Sequence, residues 1–161
     1  MPSANYIWAI LRIGMGWVFL WPFLDKTFAL GFATEAGRGW LSGSSPAMGF
    51  LKFGSSGPLA GFYQGLAGNP VVDWLYMLGL LGVGIAFILG IALRIAAFSG
   101  ALMMLLIYSA ALPVENNPFW DDHLVYALVL IGLAASNSGN TLGLGNWWGR
   151  MKPVVKFKFL A

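Results

Sequence analysis

The sequence predicts an all-α integral membrane protein: a four-helix bundle with a long outer loop that carries short interfacial helices, in a single domain over 1–161. Three observations carry that expectation. Only 9% of the 161 residues are charged and 58% are hydrophobic, whereas a soluble domain carries roughly 25% charge. Four apolar runs, near 5–24, 71–93, 95–112 and 118–136, each approach the ~20 residues that cross a hydrocarbon core. Glycine and tryptophan are abundant, at 22 and 8; small residues let membrane helices approach closely, and tryptophan favours the interface. The same composition excludes several functions. With no cysteine, disulfides, thiol relays, iron–sulfur ligation and cysteine nucleophiles are out of reach. A net charge of +3, dispersed along the chain, gives no nucleic-acid footprint. A cleaved signal peptide is not expected, because the N-terminus lacks a basic n-region and the first apolar run is too long for an h-region.

The first run holds Arg12 in its interior, Gly14 and Gly16 as packing positions, Trp17 and Trp21 toward its far end, and Pro22 placed to kink it; Asp25 and Lys26 follow at once. A lone arginine inside a span costs about 2.5 kcal/mol or more, so Arg12 either snorkels to the near interface or is paired inside the bundle. Residues 27–70 are rich in Gly and Ser, yet Trp40, Phe50, Phe53, Phe62 and Tyr63 recur through them. Connections this long seldom lack structure. Two interfacial pieces are expected near 46–53 and 58–67, serving as simple anchors or as a substrate lid.

The second run opens at Asp73 and Trp74, presents Gly79, Gly82, Gly84, Ala86 and Gly90 as a small-residue face, and ends at Arg94. The third carries Ala96 and Gly100 and is stopped by Pro113. Only a tight turn around Arg94 separates the two, which predicts an antiparallel hairpin. The fourth begins near Pro118 with Asn117 as its N-cap, and Gly132 and Ser136 repeat the small-residue spacing. In the tail, 137–161, Gly143-Leu144-Gly145 has the look of a dinucleotide turn, but Gly149 falls one place late and no strand precedes it. Trp147 and Trp148, followed by Arg150, Lys152, Lys156 and Lys158, read as an aromatic–basic membrane anchor.

Four basic residues and no acid follow Asp122, which places the tail, and after four crossings the N-terminus, on the cytoplasmic side of the cell membrane. Arg94 then lies inside, and Arg12 and Arg94 both lie toward that end. Asp25, Lys26, Asp73, Glu115, Asp121, Asp122 and His123 gather at the outer mouth. The stretch 115–123 has two readings. In one it is a capped helix entrance, with Asp121 and Asp122 at the positive end of the helix. In the other, Asp121, Asp122 and His123 handle protons or a polar ligand.

Several spaced motifs resemble a known family. Leu-Arg-Ile-Gly-Met-Gly-Trp-Val-Phe-Leu-Trp-Pro-Phe-Leu-Asp-Lys at 11–26 is similar to the first helix of the DoxX/DoxD family of small four-helix membrane proteins. Gly-Ile-Ala-Leu-Arg-Ile-Ala-Ala at 90–97 resembles its Gly-x-x-x-Arg turn, and Asn-Asn-Pro-Phe-Trp-Asp-Asp-His at 116–123 its polar entrance to the last helix. The resemblance implies a quinone-linked membrane oxidoreductase, of the thiosulfate:quinone type, working with a small DoxA-like redox subunit. In that reading His123 exchanges protons with a quinone, Asp122 or Asp121 orients it, and Lys26 or Arg12 stabilises an anion. Trp17, Trp21, Trp120 and Tyr126 line the slot, and Asp25 stands beside it. Thiosulfate, a dianion, would favour Lys26 and His123.

The alternative is a non-catalytic membrane scaffold or assembly partner, self-associating through its small-residue faces, with the polar stretch as a salt-bridged end cluster. A small transporter fits less well: Arg12 is the one ionisable residue clearly inside a span, and no span is broken by paired Gly and Pro. Neither metal nor haem is predicted, since one histidine beside two acids lacks the spread of ligands a closed site needs.

Overall fold

The computed structural model describes residues 2–114, 117 and 119–160. Among these there is no strand. Helix α1 (Pro2–Phe28) leads into a capped connection containing a 3-10 turn at Trp40–Ser42, a π-turn at Phe50–Gly54, a 3-10 turn at Gly57–Leu59 and α2 (Ala60–Gly65). Then come α3 (Pro70–Leu89), α4 (Leu93–Ala110) and α5 (Asp122–Ala135), and the tail adds α6 (Gly145–Trp148) and α7 (Lys152–Lys156). Ala4–Phe28, Pro70–Leu89 and Leu93–Ala110 are long and apolar enough to cross a membrane. Helix α5 has 14 residues, about 21 Å at 1.5 Å per residue, and so falls short of a hydrocarbon core of about 30 Å on its own.

Each boundary has a local cause. Helix α1 continues through Pro22 to Phe28, farther than the expected 24. The Asn69 side chain accepts from the Val71 N–H at 2.9 Å, and Pro70 follows at the first helical position, where its missing N–H has no partner to lose. Gly90, at φ +74°, ends α3, so the hairpin turn is Gly90–Ala92 and Arg94 lies in the first turn of α4, not between the helices. The last helix also starts later than the sequence predicts. Asp121 is its N-cap, accepting from the His123 and Leu124 N–H groups. Asn117, the expected cap, instead folds a turn of its own by accepting from the Phe119 and Trp120 N–H groups at 3.3 Å each. Glu115 and Pro118 lie outside the described residues.

Adjacent helices run antiparallel. Gly16 of α1 lies against Gly84 and Ile88 of α3, and Gly84 against Leu20. Gly79 meets Met103 of α4, and Gly100 meets Leu130 of α5. Phe19, Met77, Val83, Phe87, Met104 and Leu130 fill the space between them. The chain ends and the Gly90 turn share one end of the molecule, the termini end. The 29–69 connection, the start of α3 and the start of α5 share the other, the loop end.

That connection is a packed cap. Ala47, Leu51, Tyr63 and Ala110 form a second small core, and Asp73, itself buried, holds the 45–47 segment by accepting from Ser45 Oγ at 2.8 Å and the Ala47 N–H at 3.1 Å. Much apolar surface remains outside: Ile7 is 65% exposed, Leu75 68% and Phe98 71%. In water such a surface drives aggregation; against lipid it is at no disadvantage.

Candidate functional site

The expected site residues fall into two groups at the loop end. On α5, Asp121 Oδ2 and His123 Nδ1 are 2.6 Å apart, and the Asp121 Oδ1 atom caps the helix. Asp121 therefore orients the histidine, while Asp122 is exposed. The Asp121 carboxylate thus accepts from the His123 and Leu124 amides while it pairs with the His123 ring. Trp120 is largely exposed just before the helix, and Tyr126, half-buried, packs against the main core one turn in.

The other group is on α1. Trp17 and Trp21 stack with ring centroids 5.6 Å apart, and Trp21 meets Phe32 edge-on at 4.9 Å. Trp17 and Phe32 are exposed, so this aromatic row faces the surroundings rather than an internal slot. Asp25 is buried; its Oδ1 accepts from the Phe32 N–H at 3.3 Å, and Oδ2 has no partner among the described residues. Lys26 is half-buried beside it. No hydrogen bond or ion pair among the described residues joins the α1 group to the α5 group. Nor, among the described residues, do three His, Cys, Asp or Glu side chains come together as a metal site.

Asp121→Asn separates the two tasks of this residue. Asparagine caps as well as aspartate does, so little stability should be lost at neutral pH, whereas Asp121→Ala should cost about 0.5–2 kcal/mol. Thermal melts at neutral pH should place Asp121→Asn near the parent and Asp121→Ala below it; equal losses in the two variants would reject the capping role.

Arg12 lies at the termini end and is fully buried. Its Nη1 donates to the Phe87 carbonyl at 2.5 Å and the Ile88 carbonyl at 3.0 Å; Nη2 donates to the Leu142 carbonyl at 2.7 Å and the Thr141 carbonyl at 3.3 Å. No carboxylate partners it among the described residues. The last four carbonyls of a helix have no partner within it, and here all four of α3 are satisfied. Ala86 accepts from the Gly90 and Ile91 amides, Phe87 and Ile88 from Arg12, and Leu89 from the Leu144 amide at 2.8 Å. The 138–145 segment is therefore not tail but a strap packed across the end of the bundle, in which Ser138 and Gly139 are buried. Its glycines are what allow it. A Cβ on Gly143 or Gly145 would meet Gly139 backbone at 2.6 Å, and one on Gly139 would overlap the Gly90 carbonyl. The repeated glycines at 139, 143 and 145 were the available sequence signal.

Two clefts open at this end. One, of about 280 Å³, is lined by Gly90, Leu93, Arg94, Asn137, Asn140, Asn146 and Trp148 among others. The other, of about 160 Å³, shares Asn137 and Asn140 and adds Asn5, Trp8 and Thr141. None of the residues expected to bind quinone lines either. Comparison with family models, with curated proteins and with solved structures gave no match to this chain.

Proposed function

We propose that the chain is a non-catalytic membrane scaffold or assembly partner of the DoxX/DoxD kind, crossing the cell membrane four times with both termini in the cytoplasm. The observation that carries this reading is the employment of its buried ionic groups. Arg12 closes the end of α3, Asp73 holds the 45–47 segment and Asp121 caps α5. All three are engaged with backbone of their own chain. The fourth crossing combines α5 with the turns on either side of it. Exposed apolar faces on α1, α3 and α4 supply the lipid contact.

A second reading, a subunit of a quinone-linked oxidoreductase with a small DoxA-like partner, is favoured by the half-exposed His123 bonded to Asp121 at 2.6 Å, a pair suited to moving a proton. Native mass spectrometry of the protein gently extracted from its own membrane separates the two. Copies of the chain, or a non-redox partner, with lipid alone support the scaffold. A bound quinone or a stoichiometric redox subunit would overturn it. His123→Gln extends the test. The scaffold keeps its assembly and melting temperature, whereas a proton-transfer site loses about 10²–10⁴-fold in quinone turnover.

A further inference from the structure

The larger cleft at the termini end carries charge of one sign. Among its lining residues Arg94 is the charged one, and it stands with three asparagines, the Trp148 ring and glycine backbone. Leu93 and Arg94 are the first residues of α4, whose start has no side-chain cap. The tail brings Arg150, Lys152, Lys156 and Lys158 to the same end, and Arg94 ties it down by donating to the Lys158 carbonyl at 3.0 Å. Every acidic residue among the described ones lies elsewhere, at or near the loop end. A guanidinium fork and amide donors, with no carboxylate opposing them, select a tetrahedral oxyanion.

The neighbouring surface narrows the source. From Arg94 the outer face of α4 runs through Ile95, Phe98, Leu102 and Leu105, all exposed and at helical spacing. A soluble phosphate would use only the cleft; an amphiphile would use the cleft and this face together. We infer that the cleft at Arg94, Asn140 and Asn146 binds the phosphate of an anionic phospholipid, whose acyl chains lie along the Phe98–Leu102 face of α4. This rests on the membrane reading above and goes beyond it by naming a specific lipid site. The cationic tail, tied to Arg94 through the Lys158 carbonyl, adds attraction for an anionic leaflet.

The test is native mass spectrometry of the full chain in detergent, supplied with equal amounts of phosphatidylglycerol and phosphatidylcholine of the same acyl chains. The parent should retain phosphatidylglycerol at least about fivefold better. Arg94→Gln should abolish the preference and Arg94→Lys should keep most of it. If Arg94→Gln does not fold, Phe98→Ser serves instead and should weaken retention of both lipids. Equal retention of the two lipids by the parent, or an unchanged preference in Arg94→Gln, would overturn the site. Displacement of the lipid by millimolar inorganic phosphate would make the occupant a soluble anion and refute the lipid assignment. Fractionation keeps this separate from the membrane reading: failure of that reading leaves protein in the detergent-free supernatant, whereas failure of the lipid site leaves membrane-bound protein without selectivity.

Discussion

Arg12→Ala should produce a chain that no longer holds α1, the end of α3 and the 141–142 segment together. Four carbonyls lose their donor, and a buried side chain leaves a hole between three segments. A hydrogen bond to a charged group contributes about 1.5–3 kcal/mol net, and whole-domain stability is about 5–15 kcal/mol. Losing two such bonds is therefore decisive. Tryptophan fluorescence during heating of detergent-purified protein should show a midpoint lowered by roughly 10 °C or more, or no monodisperse protein at all. Arg12→Lys should fall between, because a single ammonium cannot span the Phe87–Ile88 and Thr141–Leu142 carbonyls at once. A parent-like melt for Arg12→Ala would mean that the carbonyls find other donors and that the clamp is incidental.

A pair of glycines two residues apart gives the second large effect. On Gly16 a Cβ would stand 2.8 Å from the Ile88 nitrogen and 2.9 Å from the Gly84 carbonyl oxygen. These are backbone atoms of α3 and cannot rotate away. Gly16→Val should force α1 and α3 apart at a cost of about 1–3 kcal/mol or more, and should draw Arg12, one turn away, off its carbonyls. Gly14 has nothing within 4 Å of the same added atom, so Gly14→Val should stay within about 0.5 kcal/mol of the parent. Matched thermal melts decide it: equal losses in both variants would show that helix propensity, not the α1–α3 contact, governs these positions.

This contrast also marks how far the sequence could be read. Three of the four apolar runs are helices long and apolar enough to cross a bilayer, because composition and length alone decide that property; the fourth run yields a helix of only 14 residues. The small residues are legible as packing positions, but not the direction each one faces. Gly84 serves α1, Gly79 serves α4 and Gly82 meets nothing. The start of α5 was misplaced by a local competition between two capping side chains. Asn117 and Asp121 both can cap, and only the three-dimensional turn shows that Asn117 binds the amides of Phe119 and Trp120.

The site was less legible than the fold. Asp121 and His123, expected to act together, do bond each other, but their pairing at i, i+2 depends on the cap geometry, and Asp122 beside them is left outside. Arg12 was expected toward the end opposite the acidic cluster and also offered as an anion stabiliser for the quinone site; it sits at that opposite end, apart from the site. Its partners are carbonyls, and every residue carries one, so no side-chain pattern could point to them. The glycines at 139, 143 and 145 announced close backbone approach without saying to what.

The Arg12 clamp has a consequence for the order in which the protein is made. Arg12 and Leu142 are 130 positions apart, which is on the order of ten seconds of synthesis at about 5–20 residues per second. Until then the first helix carries a guanidinium of which only the Phe87 and Ile88 acceptors have been made. In a bilayer such a charge resists burial, so α1 enters first but reaches its final depth only after the Gly90 hairpin and the 138–145 strap have emerged. The helix made earliest is thereby the one locked last, and a chain cut short before Leu142 betrays itself by an arginine still facing water.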